Sequence, residues 1–158
     1  MHPEMKALIE KAQEQYLKSD DLLGFRRHVA SLAQRLQAYK VLRDREEEIF
    51  QPIADTLVEA FPNESQETLE RSLKYWLSAM RHCAAAMLAS DSNYLNTRLQ
   101  WLTGLMGARD THEIDSKIEA LLRDRVAATL SQKQLAVFEP YLKKACQQLS
   151  KVGADDRA

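Results

Sequence analysis

Three observations predict an all-α fold. Apolar residues recur at helical spacing along almost the whole chain. The longest of these stripes can put its side chains on one face only if the backbone is helical. Turn formers are scarce, with 4 glycines and 4 prolines in 158 residues, which suits a few long helices and not a many-stranded sheet. Seven to eight helices in one domain over residues 1–158 fit that length.

The elements follow in order. Met5 to Leu17 reads as a short helix within an N-terminal helical extension, residues 1–18. Ser19, Asp20 and Asp21 offer N-caps for a long helix. Its stripe runs Leu22, Phe25, Val29, Leu32, Leu36 and Tyr39, in steps of 3, 4, 3, 4 and 3. Ile49, Ile53, Leu57 and Phe61 mark a third segment. Pro52 interrupts it and predicts a kink or a new helix near Gln51, because proline lacks an N–H and clashes with the preceding turn. Phe61-Pro62-Asn63 ends that element, and Asn63 or Ser65 caps the next. There Leu69, Leu73, Trp76, Leu77, Met80, Ala84, Met87 and Leu88 form a wide apolar face, and Ala84-Ala85-Ala86 allows close approach of another helix.

Asp91-Ser92-Asn93 predicts a turn before a helix through Leu95, Leu99 and Leu102. Gly104 and Gly107 loosen the chain, and Asp110-Thr111 caps a helix carrying Ile114, Ile118, Leu121, Leu122 and Val126 inward. A last helix, roughly Gln134 to Lys151, holds Pro140 and buries Phe138, Leu142, Ala145 and Leu149. A polar tail, 153–158, ends the fold.

Lys and Arg total 22 against 23 Asp and Glu, a net charge of -1. That balance excludes a generalised basic surface for nucleic acid and a polybasic membrane tail. With 45% hydrophobic and 28% charged residues the chain is too apolar for disorder. No apolar run reaches about 18 residues, and the start of the chain lacks a signal-peptide core, so a cytoplasmic protein is expected. Cys83 and Cys146 cannot form a disulfide framework, and there is no CxxC. Glycine-rich phosphate loops, GxSxG and HExxH are absent, so an enzyme is not expected. The histidines His2, His28, His82 and His112 show no spacing for a metal triad, so no metal site is expected. His28 reads as solvated, His2 as part of a frayed terminus and His112 as a first-turn helix residue. The charges from Arg43 to Glu48 read as a solvated face with local ion pairs.

Two ungapped blocks go further. In RLQAYKVLRDREEEIFQPIADTLVEAFP (35–62), Leu36, Ala38, Lys40, Leu42 and Phe61-Pro62 carry the pattern. In AMLASDSNYLNTRL (86–99) it rests on Asp91, Leu95 and Arg98. A weaker third match runs from Ala12 to Leu22. On these blocks the chain resembles the phycobiliproteins, the bilin-carrying globin relatives of cyanobacterial light-harvesting antennae, from about Ala12 to Ser150 and more loosely after Met106. The resemblance implies a globin-like fold with an additional N-terminal helical pair that mediates pairing, here a homodimer.

The resemblance also implies site residues. Counting back from Asp91, the family's chromophore-attaching cysteine corresponds to Ser72. A hydroxyl offers no thiolate-like nucleophile, so no covalent attachment is expected. The family's propionate-pairing arginine corresponds to Lys74, which keeps the charge but loses the bidentate fork. Its nitrogen-holding aspartate corresponds to Tyr75, a phenol that is neutral at pH 7, and a later arginine is matched by Arg81. Lys74 and Arg81 are either propionate partners or a solvated helix face. His82 either touches a tetrapyrrole or sits at a packing boundary. Tyr75, Trp76, Tyr94 and Trp101 either cover a macrocycle or pack. Cys83 lies 11 residues beyond Ser72, on the same face and roughly 16 Å away; inert packing is its simpler role.

A member without the attaching cysteine is most similar in kind to the bilin biosynthesis-associated globins. That likeness implies a protein that binds biliverdin or phycocyanobilin without a covalent bond and assists bilin synthesis or handling, with heme oxygenase or a bilin reductase as possible partners. The alternative is a ligand-free interaction module associated with phycobilisomes or bilin-making enzymes. A heme globin is less favoured, because no histidine falls between Asn93 and Met106, where a proximal ligand is expected.

Overall fold

The computed structural model describes residues 2–14, 19–107 and 110–155. Seven helices lie among them: α1 (Pro3–Glu14), α2 (Ser19–Asp44), α3 (Glu46–Ala60), α4 (Gln66–Ala89), α5 (Ser92–Met106), α6 (His112–Thr129) and α7 (Gln132–Asp155). No strand is found among the described residues. The expected extension of the first helix to Leu17 and the last three residues of the polar tail lie outside them.

The core gathers around α4, which packs against α2, α3, α5, α6 and α7, while α1 packs on α2. Trp76, Met80, Cys83 and Met87 of α4 meet Leu95, Leu99 and Leu102 of α5, Ile118 and Leu122 of α6, and Phe138, Ala145 and Leu149 of α7 in one buried cluster. Burying a large apolar side chain contributes about 1.5–3 kcal/mol, so this cluster carries the stability of the fold. The α4 face is rotated relative to the expected one: Ser72, Ala79 and Cys83 are buried, whereas Leu73, Leu77 and Leu88 are only partly so.

Helix α2 forms as its period predicts, but its apolar stripe is not the face that enters the core. Leu22, Phe25, Val29, Leu32 and Leu36 stay 37–48% exposed. The buried face is Arg35, Ala38 and Leu42, one position off the stripe. Arg35 reaches α4 and donates to the main-chain carbonyls of Met87 and Leu88. It thereby adds a donor to the Leu88 carbonyl and a second to the Met87 carbonyl, which also accepts the Ser90 N–H, and places a cation at the negative end of the macrodipole. The last turn of α4 closes on Ser90 in the left-handed region (φ 52°), with the Asp91 N–H returning to the Ala86 carbonyl at 3.0 Å.

Pro52 does not break the chain near Gln51. The break is a single turn residue, Arg45, between α2 and α3, and Pro52 sits inside α3. Its ring removes one helical donor, and Arg125 of α6 compensates by donating to the Glu48 carbonyl at 3.0 Å. Three other helix starts follow side-chain caps, whereas Thr111, expected to cap α6, makes no side-chain capping bond. Ser65 Oγ accepts from the Thr68 N–H, and Asp91 Oδ1 accepts from the Tyr94 N–H. Ser131 and Gln134 form a reciprocal capping box, which starts α7 earlier than the expected Gln134. That helix also runs on past Lys151 to Asp155, so the first three residues of the expected polar tail, 153–155, are helical.

Candidate functional site

Helices α4 and α5 run side by side and antiparallel. At one end of the seam, His82 meets Tyr94 edge-on with ring centroids 6.5 Å apart. At the other, the Tyr75 hydroxyl donates to the Leu105 carbonyl at 3.1 Å. Between them Arg98 lies 5.3 Å from the centre of the Tyr94 ring, within cation–π range. Positions 94, 98, 101 and 105 share one face of a helix. That face therefore carries Tyr94, Arg98, Trp101 and Leu105, with Trp101 55% and Leu105 51% exposed. An open aromatic strip with a cation in it runs along the seam.

The six candidates from the sequence divide. Tyr75, His82 and Tyr94 come together on this seam. Ser72 does not: it is fully buried, and its Oγ finds no hydrogen-bond partner. Lys74 is exposed on α4. Arg81 turns to α3, where Nε and Nη2 both bond to Glu46 Oε1 at 3.0 and 2.6 Å. Neither Ser72 nor Lys74 lines a cleft wall, although their neighbour Leu73 does. Ser72 is sealed within the core, and Tyr75 crosses to α5.

The titratable groups sharpen this picture. Burial, and secondarily the Arg98 charge, holds the His82 pKa below its ordinary 6.5, so the imidazole is neutral near pH 7. Its ring nitrogen lies 3.4 Å from the Ser78 hydroxyl. Burial, reinforced by nearby Cys146, pushes the Cys83 thiol far above the usual thiol range. Cys83 donates weakly to the Tyr141 carbonyl at 3.5 Å and is fully buried. It therefore has neither the access nor the thiolate character that attachment needs. Cys146 is likewise raised, chiefly by burial.

A cleft of about 570 Å³ lies elsewhere, between α3 and α4. Leu57, Val58, Phe61 and Leu73 line it, together with Asp55, Glu64 and Glu70. Its size suits a pigment, but its carboxylates oppose one that carries propionates. None of the six candidates lines it. Arg81 borders a smaller hollow of about 170 Å³ with Tyr39 and Glu46.

Residues 8–149, most of the chain and every helix from α2 to α6, match the family described as phycobilisome protein. The chain belongs to the phycobilisome protein family. The globin-like expectation is thereby met, with seven helices among the described residues. A search of curated proteins finds no match. Within this phycobilisome family member, Arg98 is the cation beside Tyr94 on the candidate seam, and the sequence reading used it only as a block match. Its spacing of four residues from Tyr94 and three from Trp101 was the available signal. Arg35 was overlooked in the same way, because a charged residue beside an apolar stripe reads as solvated. No described helix is long and apolar enough to cross a membrane.

Proposed function

We propose that this phycobilisome family protein binds a linear tetrapyrrole without a covalent bond along the α4–α5 seam and assists bilin synthesis or handling, not light harvesting. One observation carries the reading: Tyr75, His82, Tyr94, Arg98 and the exposed Trp101 share one surface, while Ser72, which the resemblance aligns with the attaching cysteine, is sealed in the core. The rings of biliverdin or phycocyanobilin would cover Trp101 and Leu105, where aromatic contact and apolar burial supply affinity. Arg98 would take a propionate, its planar fork matching a carboxylate, and Lys74 lies on the neighbouring helix for the other. Neutral His82 is suited to a pyrrole or lactam group. An open seam, unlike an enclosed pocket, favours loading and release.

On this reading the chain is a cytoplasmic binder and not an enzyme, and heme oxygenase or a bilin reductase is the class of partner it would serve. Heme is not favoured, since no histidine stands on α5. Titrating the purified protein with biliverdin and with phycocyanobilin tests the proposal. A shifted absorption band with induced circular dichroism is expected at micromolar protein, weakened at least tenfold by Arg98→Glu or Trp101→Ala. Complete release of the pigment on denaturation is also expected. An unchanged spectrum overturns it.

A second reading, a ligand-free interaction module, is favoured by the exposed stripe on α2. Five large apolar side chains on one helix face, Leu22, Phe25, Val29, Leu32 and Leu36, are more than an isolated surface helix usually shows. They would form a homodimer surface with α1. Light scattering distinguishes this reading: removal of residues 1–18 should give a monomer, while Lys74→Glu leaves assembly unchanged.

A further inference from the structure

The hairpin of α1 on α2 brings His28 up to His2 and Glu4, which lie more than twenty residues earlier in the sequence. His28 Nε2 lies 2.7 Å from Glu4 Oε2, and the His2 and His28 rings are 4.8 Å apart between centroids. One ligand atom from each of His2, Glu4 and His28 falls within 4.8 Å of the other two. A second ion pair, Lys11 to Asp21 at 2.9 Å, helps hold the same two helices together.

We propose that His2, Glu4 and His28 form a site for a divalent transition-metal ion of the zinc class. Two imidazoles and one carboxylate are the donor set that suits zinc, nickel or copper, whereas magnesium and calcium prefer oxygen ligands alone. Tetrahedral zinc, bound at about 2.0–2.2 Å, spaces its ligands by about 3.4 Å. The close His28–Glu4 pair therefore opens slightly and His2 closes in. Both movements are side-chain rotations: Glu4 is exposed and both histidines are only partly buried. His2 Nδ1 now accepts the Glu4 N–H at 3.1 Å. Ligation through that atom releases an exposed amide to water, a small cost. Three protein ligands leave a fourth position for water or an outside donor. The bound ion pins α1 against α2, next to the exposed stripe of α2. His2 and Glu4 precede the family-matched segment 8–149, and His28 lies within it.

Calorimetric titration of chelator-stripped full-length protein with zinc chloride tests this, with magnesium chloride as the control. One zinc per chain is expected, with no magnesium binding, and His28→Ala and His2→Ala should each abolish the event while leaving far-ultraviolet circular dichroism unchanged. Glu4→Gln should weaken it by at least tenfold. Cobalt(II) should give visible bands of a nitrogen–oxygen site without the intense near-ultraviolet charge transfer of a thiolate. No zinc binding, equal binding by the three variants, or a thiolate signature from Cys83 or Cys146 would each overturn the assignment.

Discussion

Arg125 on α6 donates through Nη2 to the main-chain carbonyl of Glu48 at 3.0 Å, the carbonyl that Pro52 deprives of its helical partner four residues on. A proline inside a helix ordinarily costs about 3 kcal/mol, part of it for the orphaned acceptor. Here a guanidinium from a neighbouring helix restores the bond, so the proline is accommodated without a break. Arg125→Ala should destabilise the protein by about 1–2 kcal/mol in urea unfolding, toward the lower end because Arg125 Nε is itself buried without a partner. In a Pro52→Ala background, where residue 52 regains its N–H, the same substitution should cost markedly less. Additive effects in that cycle would show that the two residues are not coupled.

Ser72 should be dispensable for stability. Its hydroxyl is buried without a hydrogen-bond partner, so Ser72→Ala is expected to stabilise by about 1 kcal/mol in the same assay. Ser72→Cys restores the residue type expected at an attachment position but not its accessibility. After incubation with phycocyanobilin, the denatured variant should carry no pigment; a covalent adduct would mean that the helix face opens.

Cys83 should be silent toward thiol reagents in the native state. Burial first, and proximity to Cys146 second, suppress its thiolate, and the thiolate is the reactive form. Iodoacetamide at pH 8 should leave Cys83 unmodified in the folded protein and alkylate it in urea, as mass spectrometry of peptides would report. Rapid native labelling would refute the packing role.

His82 should titrate below 6.5, its ordinary value. Since the folded state holds its proton less tightly than the unfolded chain, this group leaves stability intact above pH 6.5. It lowers stability as pH falls through that value toward the folded pKa. Ring proton shifts followed by NMR should show the depressed titration, and Arg98→Gln should move it upward by removing the neighbouring positive charge. An unmoved midpoint would mean that Arg98 does not act on the imidazole.

Arg35 ties α2 to the end of α4. Arg35→Met keeps most of the buried stem but leaves the Met87 and Leu88 carbonyls without their charged donor. It should cost about 1.5–3 kcal/mol in urea unfolding, whereas the solvent-facing Lys40→Met should cost little.

Periodicity by itself determined the helices, because a 3.6-residue repeat places side chains on a face whatever the surroundings. Ile49, Ile53 and Leu57, or Ile114, Ile118, Leu122 and Val126, could be read as inward-facing without coordinates, and each is buried. Local capping chemistry was legible in part: Ser65 was one of two candidate caps, whereas Asp91 read only as a turn residue and the structure makes it a cap. The 35–62 and 86–99 blocks pointed to the family that the match over 8–149 bears out.

Which of two possible faces enters a core is not a local property, and only the packing of α4 against α2 and α7 chose Arg35, Ala38 and Leu42 over the more apolar stripe beside them. The same holds for polar groups. Arg81 reads as a pocket cation until Glu46 stands opposite it, and His28 reads as solvated until Glu4 does. Pro52 reads as a break until Arg125 supplies the missing bond. Charge, proton affinity and ligand geometry depend on neighbours that are distant in the chain. Repeat spacing therefore decided the elements, and three-dimensional proximity alone decided what their polar side chains can do.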